Sequence, residues 1–493
     1  MILACSAGGT VAKTSGKGWT KRYEKEECMD KKKAIKLLVL CIATLGCVFL
    51  ALAAPFEGLD AVGMRFLAIF IWWIVMMVLE LVPTHISSLI ACTLCLLTGT
   101  GDTSQVFGQF GSSTVLLLIG AFGLAAGLSN SGILKRIALL MVKYAPKNYV
   151  GQMIVFELAN TLVTPWVPAA AAKQAIMVPI AGDVATQLGF KPHTRPYTGF
   201  FSIIVIASLI FGSCFLTGNG SVAIALGFMP DGVTWLDWAR NALVYFIVSL
   251  VLFTVFFIVW HRPKGEDTTD ANPQAILESC NRQLAEMGAL RGKELFALIV
   301  LLVAIVGFVA GSNFGISAHA VALSAWLLLC VSGSFKPQDF STRLMWPIVI
   351  MIGCILGMVT LLSATGVASW IAQLCSPVIV PLTQQPLLLV LLLAVLMILL
   401  RFAMVSSTVM MALVSTMLAS SVINPFVYLF TVTVSGMSFL LYYQNPTVIG
   451  ALGMTGGNVE QKDIYATGIA FIVINLIALA VSVPYWQMMG LLG

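Results

Sequence analysis

The chain has 493 residues, of which 59% are hydrophobic and only 10% are charged, and its formal net charge is +6. This composition excludes a soluble globular domain and indicates a membrane protein with many spans. Lys and Arg lie between the apolar runs rather than on one face, so the positive charge does not indicate nucleic-acid binding. No pair of carboxylates has the spacing that acid–base catalysis requires, and we therefore predict no enzyme activity.

The N-terminal polar segment, 1–33, ends in MDKKK and is followed by an apolar first span within 34–59. This apolar run is too long for the core of a signal peptide, so we predict that it is not cleaved. The sequence leaves open whether Met1 or Met29 is the true start. A helix needs about 20 apolar residues to cross a bilayer. Such runs predict spans at 35–54, 66–83, 86–99, 114–130, 196–217, 240–260, 295–312, 317–332, 345–362, 423–443 and 465–490.

The basic residues between these spans predict the topology. The positive-inside rule places clusters of Lys and Arg in the cytoplasm. Threading the spans between the clusters gives about eleven crossings, with the N-terminus inside and the C-terminus outside. The clusters lie within 1–33, at 135–147, at 191–195, within 262–293, at 336–343 and at 462.

Two apolar segments, 148–182 and 385–420, do not fit this count as simple spans. Each begins and ends on the same predicted side, yet each is long enough to enter the membrane and turn back. One re-entrant hairpin that opens inward and one that opens outward are what an inverted repeat produces. We therefore predict two inverted repeats, 60–262 and 294–493, joined by a cytoplasmic linker at 263–293.

The sequence around the hairpins supports the repeat. LLLIGAFGLAAGLSNSGILKRIAL at 116–139 is similar to VIMIGCILGMVTLLSATGVASWIAQL at 349–374. After each hairpin a long span is broken by polar and small residues, FLTGNGS at 215–221 and YYQNPTVIG at 442–450. Irregular backbone at membrane depth needs protein or a water-filled cavity around it, so the breaks predict one shared central site. Helix N-termini at the breaks favour an anion there.

Residues 55–493 resemble the divalent anion:sodium symporter family, which carries di- and tricarboxylates. The resemblance is distributed over the chain rather than concentrated in one signature. It implies an all-α polytopic transporter of the elevator type, usually a dimer, whose hairpins and broken helices move together. The similar stretches are LAIFIWWIVMMVLELVP (67–83), STVLLLIGAFGLAAGLSNSGILKRIALLMV (113–142), the hairpin ending in PI (179–180), SCFLTGNGSVAIAL (213–226) and NPTVIGALGMTGGNVEQKDIYATG (445–468).

The hairpin tips of this family usually carry a Ser-Asn-Thr motif, which the resemblance associates with sodium and the substrate carboxylates. The second hairpin keeps Ser406, Ser407 and Thr408, which we predict to bind substrate. The alternative is that these hydroxyls only pack between membrane helices. The first hairpin has alanines at 169–171 and a lysine at position 173. Alanine side chains offer no ligand to a hard cation, so we predict no metal and no cofactor, with sodium as the alternative.

Lys173 and Arg401 are cations near the two hairpin tips, where the chain resembles the citrate and dicarboxylate exchangers of the family. A fixed charge neutralises a substrate but cannot leave with a gradient, so we predict that both replace sodium and that Lys173 binds substrate. Alternatively, Lys173 snorkels to the cytoplasmic face or pairs with Glu157, which is also a candidate proton-binding group. A helix that begins at Pro386 would carry Arg401 roughly 22 Å into the membrane, past its ~15 Å half-thickness. Arg401 is then too deep to snorkel outward, so the alternative to its predicted role is a structural ion pair.

Polar residues at the two helix breaks complete the candidate site. Their alternative role is a simple kink, for which proline and glycine suffice. The amides need polar partners at that depth, so we favour contact with substrate carboxylates. The predicted residues are Thr217, Asn219, Gln444, Asn445, Pro446 and Thr447.

These features predict a secondary active transporter that exchanges di- or tricarboxylate anions across the cytoplasmic (inner) membrane without sodium. Two alternatives stay open: a sodium- or proton-coupled symporter of carboxylates or sulfate, and a membrane receptor or scaffold without transport. The predicted partners are small carboxylate anions, the lipid bilayer and a second copy of the chain, and not nucleic acid. The sequence does not identify the anion, because pocket shape selects it.

Overall fold

The computed structural model describes residues 38, 40–79, 82–229, 233–267, 272–404, 407–418, 423–441 and 443–492. The regular elements within these ranges are helices, which confirms the predicted all-α class. By length and composition, six of the described helices can cross a membrane, whereas the predicted count of about eleven crossings stays a prediction. They are Ala61–Leu79, Thr103–Ser131, Leu243–Trp260, Gly292–Phe314, Trp346–Ala364 and Gln461–Met488.

The first half of the chain forms twelve of the helices labelled here, and each span predicted in it overlaps one. They are α1 (Leu40–Leu52), α2 (Ala61–Leu79), α3 (Thr84–Leu97), α4 (Thr103–Phe107), α5 (Ser113–Ser131), α6 (Ile133–Tyr144), α7 (Tyr149–Val163), α8 (Ala170–Gln187), α9 (Arg195–Ile206), α10 (Gly220–Leu226), α11 (Trp235–Asn241) and α12 (Leu243–Trp260).

The second half begins with an amphipathic helix in the predicted linker and ends with a long apolar helix. Its helices are α13 (Pro273–Met287), α14 (Gly292–Ala310), α15 (Ala318–Val331), α16 (Pro337–Thr342), α17 (Trp346–Ala364), α18 (Val367–Thr383), α19 (Pro386–Ala403), α20 (Ser407–Leu418), α21 (Pro425–Ser435), α22 (Pro446–Met454) and α23 (Tyr465–Met488).

The same order of elements occurs twice. A long helix, α5 or α17, is followed within two residues by a glycine with left-handed backbone, Gly132 (φ 85°) or Gly366 (φ 74°). Glycine suits this position because it has no Cβ to clash. A further helix, a pair of helices and a broken helix follow in each half. The inverted orientation of the halves, and their boundaries, stay predictions.

Both predicted hairpins are present as pairs of helices. In the first, α7 and α8 are joined by a short 3-10 helix at Thr164–Trp166 and by extended backbone that reaches Ala169. The turn therefore lies where the prolines of the sequence predict it. In the second, α19 ends at Ala403 and α20 begins at Ser407. The entry of both hairpins into the membrane from opposite sides stays a prediction.

Several predicted boundaries differ from the structure. α2 begins five residues before the predicted span, because the Asp60 carboxylate accepts a hydrogen bond from the Gly63 backbone N–H and caps the helix. α8 continues to Gln187, with Pro179 inside it, so the hairpin is longer than 148–182. The predicted span 423–443 is helical only to Ser435, because the residues after it belong to the break.

α5 packs closely against α15 at two glycines of α5. A Cβ on Gly120 would lie 2.7 Å from the backbone nitrogen of Leu323, and a Cβ on Gly123 would collide with the ring of Trp326. Small residues allow helix backbones to approach in this way. α5 and α15 are therefore closely packed beside the broken helix of the first half.

A buried ion pair joins α6 to α14. The Arg136 guanidinium donates two hydrogen bonds to the Glu294 carboxylate, at 2.6 and 2.8 Å, and a third to the Gly288 carbonyl oxygen at 2.9 Å. Bidentate geometry of this kind is specific as well as strong. The charge at position 136 therefore links the two halves of the chain as well as contributing to the predicted topology.

Candidate functional site

A cavity of about 180 Å³ lies where the two hairpins meet the two helix breaks. Four helices, α8, α10, α20 and α22, begin with residues at or beside its wall. The positive ends of the helix dipoles favour negative charge, so the wall suits an anion. The lining residues are Phe122, Pro168, Ala169, Ala170, Ala171, Leu209, Asn219, Gly220, Ser221, Ile224, Met345, Ile348, Met351, Ser407, Met437, Asn445 and Thr447.

Two asparagines of the predicted site play the same structural part in the two halves. Asn219 accepts a hydrogen bond from the Ser221 backbone N–H at 3.0 Å through its side-chain oxygen, and so caps α10. Asn445 accepts one from the Thr447 backbone N–H at 3.1 Å and caps α22. Each side-chain nitrogen also donates to a carbonyl oxygen that precedes the break, Asn219 to that of Leu209 at 3.0 Å and Asn445 to that of Met437 at 3.5 Å. Both asparagines line the cavity, and their amides also hold its wall in place.

Thr217 does not line the central cavity, but its hydroxyl links the first break to the first hairpin by a hydrogen bond. Its hydroxyl donates to the Pro165 carbonyl oxygen at 2.6 Å and accepts a hydrogen bond from the Trp235 indole N–H at 3.1 Å. Trp235 also stacks on Trp166 of the hairpin turn, with ring centroids 6.0 Å apart. Sequence analysis missed these tryptophans. Their only signal was the position of Trp166 between the hairpin prolines.

Lys173 is fully buried in the first turn of α8 and does not line the cavity. Its ammonium group donates to the carbonyl oxygens of Ser208, at 3.1 Å, and Gly218, at 3.0 Å. Ser208 belongs to a π-helical turn, Ala207–Phe211, that follows α9. Carbonyl oxygens are also the ligands that a hard metal cation takes. The ammonium therefore holds a position in which a bound cation would find two ligands.

Two glycines bring the carbonyl groups around Lys173 together. A Cβ on Gly212 would lie 2.6 Å from the Gly218 carbonyl oxygen and 3.2 Å from the lysine nitrogen. Any larger residue at position 212 would push the break away from the helix that precedes it. Nothing in the sequence distinguishes this glycine from its neighbours, and only the fold shows why it is needed.

Glu157 is buried in α7 and contacts α12 rather than Lys173. Its carboxylate accepts a hydrogen bond from the Thr254 hydroxyl at 2.6 Å. Its other oxygen has no hydrogen-bond partner within the described part of the chain. The lysine ammonium is directed at backbone carbonyl oxygens, and no ion pair joins the two residues among those described.

Arg401 and Gln444 are buried beside the second hairpin and neither lines the cavity. Arg401 donates to the Met404 carbonyl oxygen at 3.2 Å, at the end of α19. Gln444 donates to the Arg401 carbonyl oxygen at 3.2 Å and accepts from the Leu441 backbone N–H at 2.7 Å. These contacts join the second break to the end of the first arm of the hairpin.

The remaining predicted residues lie at the starts of two helices. Ser407 begins α20 and lines the cavity, and Pro446 is the first residue of α22. Thr447 also lines the cavity. Ser406 lies outside the described residues, and the side chain of Thr408 is outside the description too. The structure thus brings residues of both halves to one cavity, with the two buried cations behind its wall.

Apolar helices, paired hairpins and broken helices around one anion-suited cavity define a multi-pass membrane transporter. Residues 31–492 match the family model of the sodium:sulfate symporter transmembrane region, and the chain belongs to this family.

Similar proteins include transporters from plants and bacteria. The chain is 24% identical over 350 residues to dicarboxylate transporter 1, chloroplastic, of Spinacia oleracea, a match that covers 69% of this chain and 60% of the spinach protein. It is 24% identical over 409 residues to the citrate/succinate antiporter of Escherichia coli strain K12, covering 76% of this chain and 81% of the antiporter. The solved YdaH transporter of Alcanivorax borkumensis matches with a TM-score of 0.54 at 17% identity, over 79% of this chain and 88% of that one. This last likeness concerns the fold alone.

Proposed function

We propose that the protein is a secondary active transporter that exchanges di- or tricarboxylate anions across the cytoplasmic membrane without sodium. The family supports transport, and the names of the relatives, among them a dicarboxylate transporter and a citrate/succinate antiporter, support carboxylates as substrates. The cavity of about 180 Å³, with helix starts in its wall, has the size and polarity for one small anion. The proposal includes no enzyme activity and no cofactor.

The observation that carries sodium independence is the ammonium of Lys173 on two backbone carbonyl oxygens. A covalently held cation supplies the positive charge that a bound sodium ion would supply. The alanines at 169–171 in the cavity wall add no side-chain oxygen that a metal cation could use. We therefore expect no sodium-binding site at the first hairpin through which a sodium gradient could drive transport.

The same fixed charge favours exchange over net transport. Lys173 and Arg401 are both fully buried, and both move if the hairpins move as the family resemblance implies. A buried cation at membrane depth costs about 2.5–3.5 kcal/mol on insertion scales. A bound anion offsets this cost, whereas in the empty carrier nothing offsets it. The moving part therefore returns faster with a second anion bound than without one.

The elevator motion, the homodimer and the orientation belong to the same proposal. The N-terminus is inside and the C-terminus outside in the topology that the basic clusters predict. The hairpins and the broken helices, which share the cavity, form the part that moves. The alternatives of sulfate as substrate, and of a receptor or scaffold without transport, are outcomes that the flux measurements below distinguish.

One observation favours proton coupling as a second candidate. Glu157 is a buried carboxyl group of the first hairpin, and one of its oxygens has no hydrogen-bond partner among the described residues. A group of this kind can carry a proton with the moving hairpin. Proton-coupled symport would then run through Glu157 rather than through the cavity itself.

The test is uptake of a labelled anion into proteoliposomes that are loaded with succinate, malate, citrate or tartrate, or left empty. Exchange predicts uptake that requires an internal anion and is the same in sodium and in potassium. Uptake into empty vesicles that is driven by a sodium or proton gradient would contradict exchange. Sulfate uptake would change the substrate class, and no flux of any tested anion would favour the scaffold.

Two lysine variants provide the matched comparison for this assay. Lys173→Met removes the charge behind the cavity. Lys147→Met removes an ammonium that also donates to carbonyl oxygens, including those of Val142 and Ala145, but at the turn before α7. Exchange is expected to be lost in the first variant and retained in the second. Equal loss in both would show that carbonyl capping, and not charge at the cavity, accounts for the effect.

A further inference from the structure

A second and larger cavity, about 410 Å³ in volume, lies on one side of the central one. Its wall is formed by the start of α5, the turn between α14 and α15, and the segment around α11. Trp235 and Phe308 provide an aromatic side, and His319 and several hydroxyl groups provide a polar side. Ser312 in this wall is exposed. A cavity of this size holds a small organic molecule.

A narrow neck lies between the two cavities. Its volume is only about 10 Å³, which is room for about one water molecule. Leu117, Leu216 and Leu226 line both the neck and the larger cavity, whereas Pro168 and Asn219 line both the neck and the central cavity. The neck therefore lies between the two cavities, and the three leucines separate it from the larger one.

The floor of the larger cavity is tied to the central site. Trp235 lines the cavity and donates a hydrogen bond to the Thr217 hydroxyl, which donates to the Pro165 carbonyl oxygen of the first hairpin. Phe215 stacks on the same tryptophan at 5.7 Å. A movement of the hairpin turn is thus transmitted to the cavity floor through direct contacts.

The leucines of the neck come from two different parts of the fold. Leu117 lies on α5, which packs closely against α15, whereas Leu216 lies in the first break and Leu226 is the last residue of α10. Displacement of the broken helix relative to α5 would separate these side chains and widen the neck. Their apolar surface does not replace the water that a hydrated anion would lose on entering a space of about 10 Å³, so the closed neck excludes the anion.

We propose that the larger cavity is an entry chamber for the transported carboxylate and that Leu117, Leu216 and Leu226 form the gate between it and the central cavity. This inference rests on the proposed transport function. The turn between α14 and α15 has no basic residue, so the predicted topology places the chamber on the outer side. The polar wall accommodates the carboxylates, and the aromatic wall accommodates the carbon chain between them.

Chemical blockage of the chamber tests the proposal. Ser312→Cys is labelled in detergent with a bulky maleimide, labelling is verified by mass, and the protein is reconstituted for anion exchange. The control is Ser341→Cys, an exposed serine of α16 that lines neither the chamber nor the central cavity. The labelled parent chain corrects for native cysteines, of which Cys41 is exposed. Labelled Ser312→Cys is expected to exchange at least tenfold more slowly than both controls.

The outcomes separate this inference from the proposed function. A parent chain that exchanges none of the tested anions contradicts the function itself, before any label is added. Normal exchange by fully labelled Ser312→Cys, next to an active parent, overturns the entry chamber alone.

The gate is tested by size. Leu117→Trp fills the neck, whereas Leu116→Trp places the same ring on a half-buried position of α5 that lines none of the three spaces. The first variant is expected to lower the exchange rate at least tenfold relative to the second. Equal rates in the two tryptophan variants would overturn the assignment of the gate.

Discussion

Replacing Lys173 with methionine isolates the charge behind the central cavity. Methionine keeps most of the apolar stem and removes the ammonium that donates to the Ser208 and Gly218 carbonyl oxygens. It makes no hydrogen bond of comparable strength to either group. The variant therefore tests whether a fixed cation is needed for anion binding.

The size of the effect follows from the position of the charge. Lys173 is three residues beyond Ala170, which lines the cavity, and this corresponds to about 4.5 Å of helix rise. For a carboxylate bound about 7 Å from the ammonium, an effective dielectric constant of about 20 gives an attraction of about 2.4 kcal/mol. This free energy corresponds to roughly a 60-fold loss of anion affinity.

Stability is a less informative readout than affinity. Each hydrogen bond from the ammonium contributes about 1.5–3 kcal/mol, and removing the donor leaves two carbonyl groups unpaired. The variant also no longer buries a charge, which offsets part of this loss. We therefore expect a small decrease in melting temperature next to a large decrease in affinity.

The assay is thermal stabilisation of the purified protein by citrate and by malate, together with exchange in proteoliposomes. We expect the concentration of anion for half-maximal stabilisation to rise about 60-fold in Lys173→Met. In Lys173→Ala the freed carbonyl oxygens are open to a metal cation, and sodium is expected to raise anion affinity in this variant only. A folded Lys173→Met protein with parental affinity and parental exchange would refute the reasoning.

Two further substitutions test the frame around the site. Glu294→Gln leaves Arg136 buried without its charged partner and is expected to destabilise the protein by about 3–5 kcal/mol, measured as a loss of thermal stability. The exposed Glu286→Gln is the control, and equal melting curves would contradict the structural role of the pair. Gly212→Ala places a Cβ 2.6 Å from a carbonyl oxygen of the break, and overpacking of this kind costs ~1–3 kcal/mol, so we expect anion affinity to fall roughly 5- to 150-fold. Gly453→Ala, with no atom within 4 Å of its Cβ and outside the wall of the cavity, is the control, and similar affinities in the two would contradict the close approach.

The sequence predicts the helices and their order well because each depends on local pattern. Apolar length predicts the spans, and the prolines around position 166 predict the turn of the first hairpin at Thr164–Trp166. Glycine and polar residues at 215–221 predict the first break, since they interrupt an otherwise apolar run. Short helices such as α11 and α16 were missed, because their polar sequences carry no membrane signal.

The contacts of the site were less predictable, because they depend on backbone groups that are distant in sequence. The role of Asn219 as a helix cap requires knowing that α10 begins at the next residue. The partners of Lys173 are carbonyl oxygens, which every residue possesses, so no side-chain pattern identifies them. In place of the alternative ion pair between them, Lys173 has these backbone contacts and Glu157 accepts a hydrogen bond from the Thr254 hydroxyl.

The positions of the cations separate two tasks, attraction of the anion's charge and recognition of its shape, which the sequence analysis assigned to the same residues. Lys173 lies behind the wall of the cavity, so it acts on an anion through its field and not through shape. Recognition of shape is left to groups in the wall, including the hydroxyls of Ser221, Ser407 and Thr447. Lys173→Met should therefore lower the affinity for all dianions by a similar factor. Thr447→Val should instead change the order of preference between malate and succinate, which differ by one hydroxyl. Thermal stabilisation by both anions measures this, and a change of preference in the lysine variant with none in Thr447→Val would contradict the division of tasks.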